Sequence, residues 1–376
     1  MRMTNEHIHP TMELFRDRRM IVVTGGGTGG HIFPTIAVIG ELKRRGYEEI
    51  LWIGSKNGSE REWAKKVGVR YHGILAGKLR RYFSLRNFVD LFKVFWGTAQ
   101  SFFLFCRKKP QIIFSKGGFV SVPPVLASRT FSVPVVTHES DTVPGLATRI
   151  ISRCATAVCV SFQSTADFFP GRDVFFTGNP IREVVLQGSA ERGVSWLGFE
   201  GNLPIVFAVG GSTGASAINE TVWKMLEEGD LSFNLVHQCG RGNLNEGLSG
   251  RKRYRQFEFL DEQMGDVLQA ASVVVSRAGA GALYEIGLLK KASILIPLPL
   301  SASRGEQIEN ARYYEEHGAC VVIPQESLTP ELLKLEIEEL LSGSDRRERV
   351  GQAARQLVRE NASEAIAGII DDIIAR

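Results

Sequence analysis

Thr24-Gly25-Gly26-Gly27-Thr28-Gly29-Gly30-His31 decides how the rest of the chain is read. It follows the β-branched run Ile21-Val22-Val23 and precedes residues 33–45, which carry helical character. Strand, glycine turn and helix in that order make a phosphate-cradling unit. Glycine lets the backbone approach a ligand and take positive φ, and a helix start offers unpaired N–H groups with a partial positive charge. His31 is unusual in such a turn, because it puts a titratable imidazole at the ligand. The spacing Gly25-x-Gly27-x-x-Gly30 also fits a dinucleotide fingerprint, which requires an acid about 20 residues on. The second strand, 50–53, ends in Gly54-Ser55 and carries none. A nicotinamide cofactor, and with it a dehydrogenase, is therefore disfavoured.

Outward from this turn, residues 20–180 alternate strand-like and helix-like runs. Strands are expected at 20–23, 50–53, 111–114, 133–137, 157–160 and 174–176, and helices at 33–45, 60–67, 85–105, 120–129 and 146–153. Such alternation means a parallel sheet with helices on both faces. Gly178-Asn179-Pro180 breaks it, and 181–203 reads as an interdomain connection. A second alternation fills 204–362, and 363–376 is an amphipathic helix able to pack on either domain. The expected class is α/β, two doubly wound halves with a cleft between them, because ligands sit outside the carboxyl ends of such strands.

The length of 376 residues allows two domains, and 44% hydrophobic with 23% charged residues is ordinary for a globular protein. Five cysteines without a C-x-x-C pair argue against a disulfide framework and point to a reducing compartment. Residues 1–19 form a polar tail without the apolar core of a secretory signal, and no uncharged run is long enough to span a bilayer. The expectation is a cytoplasmic protein. The net charge of +4 hides an asymmetry: 78–109 holds eight basic residues and one acid, Asp90, so +7 sits there and the remainder sums to −3.

Further constellations punctuate both halves. Gly210-Gly211-Ser212-Thr213-Gly214 follows the strand 205–209, either as a plain tight turn or as a diphosphate site using backbone N–H groups and the Ser212 hydroxyl. Ser276-Arg277-Ala278-Gly279-Ala280-Gly281 follows 273–275. Glu285 lies about one turn into the next helix, where it either favours the helix dipole or accepts ribose hydroxyls. Arg304-Gly305-Glu306-Gln307-Ile308-Glu309-Asn310 offers the mixed donors and acceptors that sugar hydroxyls need, or is a solvated helix start. In the first half, Lys116-Gly117-Gly118-Phe119 is another backbone anion site. His138-Glu139-Ser140-Asp141 groups titratable side chains at a strand exit, which suits acid–base work. No Asp-x-Asp and no His/Cys cluster with metal spacing occurs, so neither a metal nor a cofactor is expected. A departing diphosphate would then be stabilised by helix dipoles and Arg182.

Nine of the 34 aromatic residues lie between Tyr82 and Phe105, with Phe88, Phe92 and Phe95 at helical spacing. Such a stripe is either core or, flanked by Arg80-Arg81 and Arg107-Lys108-Lys109, a surface for an anionic bilayer. Nucleic acid is the weaker reading, because no nucleic-acid-binding motif accompanies the patch.

In this order and spacing the motifs resemble the MurG family, N-acetylglucosaminyltransferases that act on undecaprenyl-pyrophosphoryl-MurNAc-pentapeptide in bacterial cell-wall synthesis. They run from Gly26-Gly27-Thr28-Gly29-Gly30-His31 through Lys116-Gly117-Gly118-Phe119-Val120-Ser121, His138-Glu139 with Pro144-Gly145-Leu146, and Gly178-Asn179-Pro180-Ile181-Arg182. Gly210-Gly211-Ser212, Ser276-Arg277-Ala278-Gly279 with Glu285, and Gln307 with Asn310-Ala311 complete the series. The resemblance implies the GT-B fold, two facing Rossmann-like domains. It implies a UDP-GlcNAc site drawn from Thr28, Gly29, Gly30, Arg182, Ser212, Leu260, Ala280, Glu285, Glu306 and Gln307. In that set Ser212 meets phosphate, the Leu260 backbone uracil, Glu285 the ribose, and Gln307 with Glu306 the sugar. The acceptor pyrophosphate falls to Gly27, Lys116, Gly117 and Gly118, and docking on the cytoplasmic membrane face to Leu79, Arg80, Arg81, Tyr82, Phe83 and Phe88. Cell-wall synthesis proteins are the implied protein partners. The family often has Asn where this chain has Asp141, and Gln or His at Glu306. An acid accepts only when ionised, whereas an amide also donates.

The implied reaction is an inverting displacement at the anomeric carbon by the acceptor 4-hydroxyl. His31 is the first candidate base, with Glu139 and Asp141 as alternatives. The rivals are another GT-B transferase acting on a lipid such as diacylglycerol, and a nucleotide-sugar epimerase.

Overall fold

A computed structural model describes residues 20–77, 85–211 and 213–376. By compactness the described residues form two units: those of 20–138, 146–159 and 363–376 belong to the first, and those of 139–145 with 160–362 to the second. The first sheet contains β1 (Ile21–Thr24), β2 (Ile50–Ser55), β3 (Arg70–Ile74), β4 (Ile112–Ser115), β5 (Val135–Glu139), β6 (Ala157–Val160) and β7 (Val174–Phe176), in the order β3-β2-β1-β4-β5-β6-β7. The second contains β8 (Ile205–Val209), β9 (Asn234–Gln238), β10 (Tyr254–Phe257), β11 (Val273–Ser276), β12 (Ala292–Leu295) and β13 (Val321–Val322), in the order β10-β9-β8-β11-β12-β13. The same winding thus occurs twice without a legible sequence repeat.

Central strands such as β1, β4, β8 and β11 run parallel to their neighbours and are apolar along most of their length. Parallel strands are covered by helices on both faces, so they cannot alternate apolar with polar. In each unit the strand order reverses direction beside the first strand, between β1 and β4 and between β8 and β11. That switch point is where α/β sheets open a crevice at their carboxyl ends. The Thr24↔Ser115 register brings the ends of β1 and β4 level, and Val209↔Ser276 does the same for β8 and β11.

The core of the first unit gathers Ile21, Val23, Ile39, Trp52, Phe114 and Val136, and Ile366, Ala367 and Ile370 of the Ala362–Ala375 helix join it. Arg45 donates to Asp371 at 2.7 Å, and the Tyr47 hydroxyl donates to the same carboxylate. The last helix, left open between domains by its pattern, therefore packs on the first unit.

Several features escaped the pattern, among them the helices Glu183–Leu186 and Ala190–Leu197 inside the 181–203 stretch. β3 reads Arg-Tyr-His-Gly-Ile, without alternation or a β-branched run, and forms because it pairs with β2. The first helix spans Gly29–Arg44, four residues earlier than expected, because propensity disfavours glycine there while the turn geometry requires it.

In the second unit His237 is fully buried. Its Nδ1 lies 3.0 Å from the Tyr254 hydroxyl and its Nε2 3.0 Å from Asn219 Oδ1. Burial pushes its pKa down to about 3. The unfolded chain takes up this proton near pH 6.5, and the folded chain does not until about 3. Stability from this group is therefore complete above 6.5 and falls as the pH drops below it, by up to about 1.4 kcal/mol per pH unit. Urea melts between pH 7.5 and 5 should show a steeper loss for the native chain than for His237→Gln; parallel slopes would contradict this.

Candidate functional site

The site of the first unit is built by the turns that follow β1 and β4. Thr28 caps the Gly29–Arg44 helix in an extended conformation, and no side chain caps the helix amides. The first-turn N–H groups of Gly29 and Gly30 therefore open the helix in the way an anion site needs. His31 donates its backbone N–H to Thr28 O at 3.1 Å, and its carbonyl accepts from Thr35 Oγ1 at 2.7 Å. Its ring packs against Gly118: a Cβ there would lie 3.2 Å from Cδ2 and from Nε2. Gly118 has φ +78°, so both space and backbone demand glycine.

The His31 Nδ1 is buried and finds no hydrogen-bond partner among the described residues. Burial, then the nearby Lys116 charge, hold the imidazole down to about 3, against a smaller upward pull from the Lys116 backbone. It is therefore neutral at physiological pH. Lys116 is itself buried, beside Gly25. Gly117, at φ +84°, donates its N–H to Ser115 Oγ, and its carbonyl accepts from Ser121 Oγ at 2.6 Å. Gly27, expected to meet a pyrophosphate, points its N–H toward the Glu60 carboxylate at 3.4 Å.

The 139–145 loop belongs to the second unit. The Glu139 carboxylate accepts the N–H groups of Ser140 at 2.8 Å, Asp141 at 3.1 Å and Gly145 at 3.2 Å. Asp141 Oδ1 accepts from Asn310 Nδ2 at 2.9 Å, and Asn310 Oδ1 accepts from the Thr142 N–H and hydroxyl. Asn310 also donates to Ala278 O, so one buried amide ties this loop to the turn after β11. Both carboxylates are thus engaged in holding backbone and side chains of their own unit.

The candidate residues of the second unit are held by side-chain bonds. Arg182 Nε and Nη2 donate to Glu285 Oε1 at 3.2 and 3.1 Å, and both side chains are largely buried. The Ala280–Leu288 helix carries Glu285, and its N-cap, Gly279, makes no side-chain cap. Gln307 Oε1 accepts the Leu298 N–H at 3.1 Å, and Glu306 Oε2 the Arg304 N–H at 3.0 Å. Arg277 is buried under this strand exit, donating to the Ile296 and Pro297 carbonyls and to Gln325. Ser212, Leu79, Arg80, Arg81, Tyr82, Phe83 and the Phe88 side chain lie outside the described residues.

Gln238, at the end of β9, was not singled out by its sequence. Its Nε2 donates to Gly211 O at 3.1 Å, and its Oε1 accepts the Leu260 N–H at 2.8 Å. One buried amide thereby spaces the turn after β8 from Leu260. Gly211 and Gly214 both have positive φ, and a Cβ on Gly214 would lie 1.9 Å from Cys239 O. Gln238→Leu removes both bonds and should destabilise the second unit by about 2 kcal/mol, at roughly 1 kcal/mol per bond, read as a lower urea midpoint. An unchanged midpoint would contradict this bracing role.

On the Leu85–Lys108 helix, Leu91, Phe92, Phe95, Trp96 and Phe103 are more than half exposed, while Val94 and Phe105 are buried. Of the two readings of the aromatic stripe, a buried helix fits these residues poorly. Among the described residues no helix is long and apolar enough to cross a membrane, and no group of three or more His, Cys, Asp or Glu could hold a metal ion.

The glycosyltransferase family 28 N-terminal domain matches residues 21–160, and the family 28 C-terminal domain matches 205–367. A UDP-N-acetylglucosamine–N-acetylmuramyl-(pentapeptide) pyrophosphoryl-undecaprenol N-acetylglucosamine transferase of Clostridium botulinum is 45% identical over 322 residues, 86% of this chain and 91% of its own. The Clostridium perfringens protein of that description is 44% identical over 320 residues, 85% and 89% of the two chains. Among solved structures, Acinetobacter baumannii MurG superposes with a TM-score of 0.72 at 24% identity, covering 94% of this chain and 99% of that one. A UDP-GlcNAc 2-epimerase of Neisseria meningitidis reaches 0.66 at 13% identity, covering 94% and 100%. At these identities both structures speak for the fold alone, and the epimerase rival draws no more than that from the likeness.

Proposed function

Because this chain belongs to the MurG family of N-acetylglucosamine transferases, within glycosyltransferase family 28, we propose that it works as follows. It moves GlcNAc from UDP-GlcNAc to the MurNAc 4-hydroxyl of undecaprenyl-pyrophosphoryl-MurNAc-pentapeptide. The observation that carries the reading of the donor half is the Arg182–Glu285 pair at the switch point of the second sheet. The guanidinium fixes one carboxylate oxygen, and the other is presented to the ribose hydroxyls. The amides at the start of the Ala280–Leu288 helix and of the turn after β8 take the diphosphate, with Ser212 and Arg182. The Leu260 backbone reads uracil, and Gln307 with Glu306 holds the sugar.

The first unit takes the acceptor. Gly117 and Gly118 face its pyrophosphate, with the buried Lys116 charge behind them, and Thr28, Gly29 and Gly30 present helix amides to the transferring phosphosugar. His31 accepts the proton of the 4-hydroxyl as oxygen attacks the anomeric carbon from the face opposite UDP. The C–O bond to UDP breaks, and the diphosphate leaves with the electron pair. Glu139 and Asp141, bound by the amides and side chain described above, organise their loop. Inversion is tested by the anomeric configuration of the product in NMR: a β-1,4 linkage is expected, and an α linkage would overturn the mechanism.

The exposed aromatic face of the Leu85–Lys108 helix docks on an anionic bilayer at the cytoplasmic side. Burying each large apolar side chain is worth roughly 1.5–3 kcal/mol, against about 1 kcal/mol for each nearby cation, so the aromatics dominate. Replacing Phe92, Phe95 and Trp96 together by Ser should abolish sedimentation with phosphatidylglycerol vesicles and leave turnover of a water-soluble acceptor intact. Undiminished vesicle binding would sink this surface.

A further inference from the structure

Behind the first glycine turn lies a carboxylate that the reaction just described does not use. Glu60 opens the Glu60–Lys66 helix and is fully buried. Its Oε1 accepts the Ser55 N–H at 2.7 Å and the Ser55 hydroxyl at 2.8 Å, while Oε2 faces the Gly27 N–H at 3.4 Å. Three glycines make room for it. A Cβ on Gly26 would lie 2.6 Å from Oε1, one on Gly58 2.2 Å from Oε2, and one on Gly54 2.6 Å from Cγ. Among the described residues no cation pairs with it. On the other side of Gly26, the Trp52 indole donates to Gly25 O at 2.9 Å.

A buried charge costs several kcal/mol unless hydrogen bonds satisfy it. Here they come from the end of β2 and from the glycine turn. Dinucleotide folds place an acid near this point to hold a ribose, but Glu60 has no exposed surface from which to reach a ligand. What it reaches is the backbone. Gly25 and Gly27 are held from behind by Trp52 and Glu60, and Thr28, next in sequence, accepts the His31 N–H. The turn has no side-chain cap of its own, so these contacts set where the imidazole lies against Gly118.

We propose that Glu60 is a positioning residue for His31, fixing the Gly25–Gly27 turn from behind. The proposal rests on the reading of His31 as the base. The further consequence is that the Gly27 amide serves the fold, and the acceptor's phosphates are left to the Gly117–Gly118 turn.

The test is a double-mutant cycle on the full chain, using UDP-GlcNAc and a short-chain lipid-linked muramyl peptide. Glu60→Gln keeps the shape and removes the charge. It should lower kcat about tenfold, as a sub-ångström displacement of a catalytic group does, with the KM for UDP-GlcNAc unchanged. In the His31→Ala background it should cost nothing further. Ser55→Ala, which loosens Glu60 without touching its charge, should lose less in the same direction and guards against a Glu60→Gln chain that fails to fold. If both variants turn over normally, or if the Glu60→Gln and His31→Ala losses multiply, the positioning role is wrong while the base stands. If His31→Ala alone is unimpaired, the base reading falls and takes the positioning role with it.

Discussion

His31→Ala should lower turnover by about 10²- to 10⁴-fold, the span associated with removing a general base, while the KM for UDP-GlcNAc stays near its native value. Circular dichroism should match the native chain, because the substitution leaves the turn's backbone bonds in place: the residue 31 N–H to Thr28 O, and Thr35 Oγ1 to the residue 31 carbonyl. The pH dependence carries a second signature. In the free protein, burial and Lys116 hold His31 neutral down to about 3, so it contributes no acid limb to kcat/KM near pH 6.5. A base held so low is weak, since proton transfer is most efficient with a pKa near the working pH. A bound pyrophosphate reverses one of the two causes by offsetting the Lys116 charge. The acid limb of kcat, which reports the loaded enzyme, should therefore lie at higher pH than that of kcat/KM. Coincident limbs, or normal turnover in His31→Ala, would remove His31 from the chemistry.

Glu285→Ala should raise the KM for UDP-GlcNAc by about 10²- to 10⁴-fold. Two hydroxyl hydrogen bonds to a charged acceptor are worth roughly 1.5–3 kcal/mol each, and each 1.4 kcal/mol is tenfold. The truncation also removes the Arg182–Glu285 ion pair at 3.1 Å. Arg182 is proposed to meet the departing diphosphate, so kcat should fall as well, by less than the KM rises. Glu285→Gln keeps one acceptor and should sit between. A titration of UDP-GlcNAc by calorimetry checks the same step without turnover, and an unchanged affinity would withdraw the ribose role.

Much of this fold is legible from sequence, because parallel strands sealed on both faces must be written as continuous apolar runs, and glycines must mark where they turn. Ile21-Val22-Val23 before Gly25 and Val273-Val274-Val275 before Gly279 are both of this kind. The signal fails where pairing, not pattern, makes the element: β3 exists because β2 offers an edge. It fails again for contacts between distant residues. Glu60 meets Gly27 across 33 positions, and Gln238 meets Gly211 across 27. A buried carboxylate and a buried amide look like ordinary surface residues until the fold closes around them. The titratable group at 138–141 shows the converse. Its residue types suit acid–base work, but the backbone amides of its own loop fill Glu139, and only the three-dimensional arrangement shows that. His31 was conspicuous from the start, since a glycine turn has no structural need of an imidazole.

The most direct measurement is transfer of labelled GlcNAc from UDP-GlcNAc to a short-chain undecaprenyl-type pyrophosphoryl muramyl pentapeptide, run beside diacylglycerol as competing acceptor and with a chelator present. The account predicts labelled disaccharide on the muramyl lipid alone, at an undiminished rate in chelator. Label on diacylglycerol, or release of a 2-epimerised sugar with no acceptor product, would contradict it.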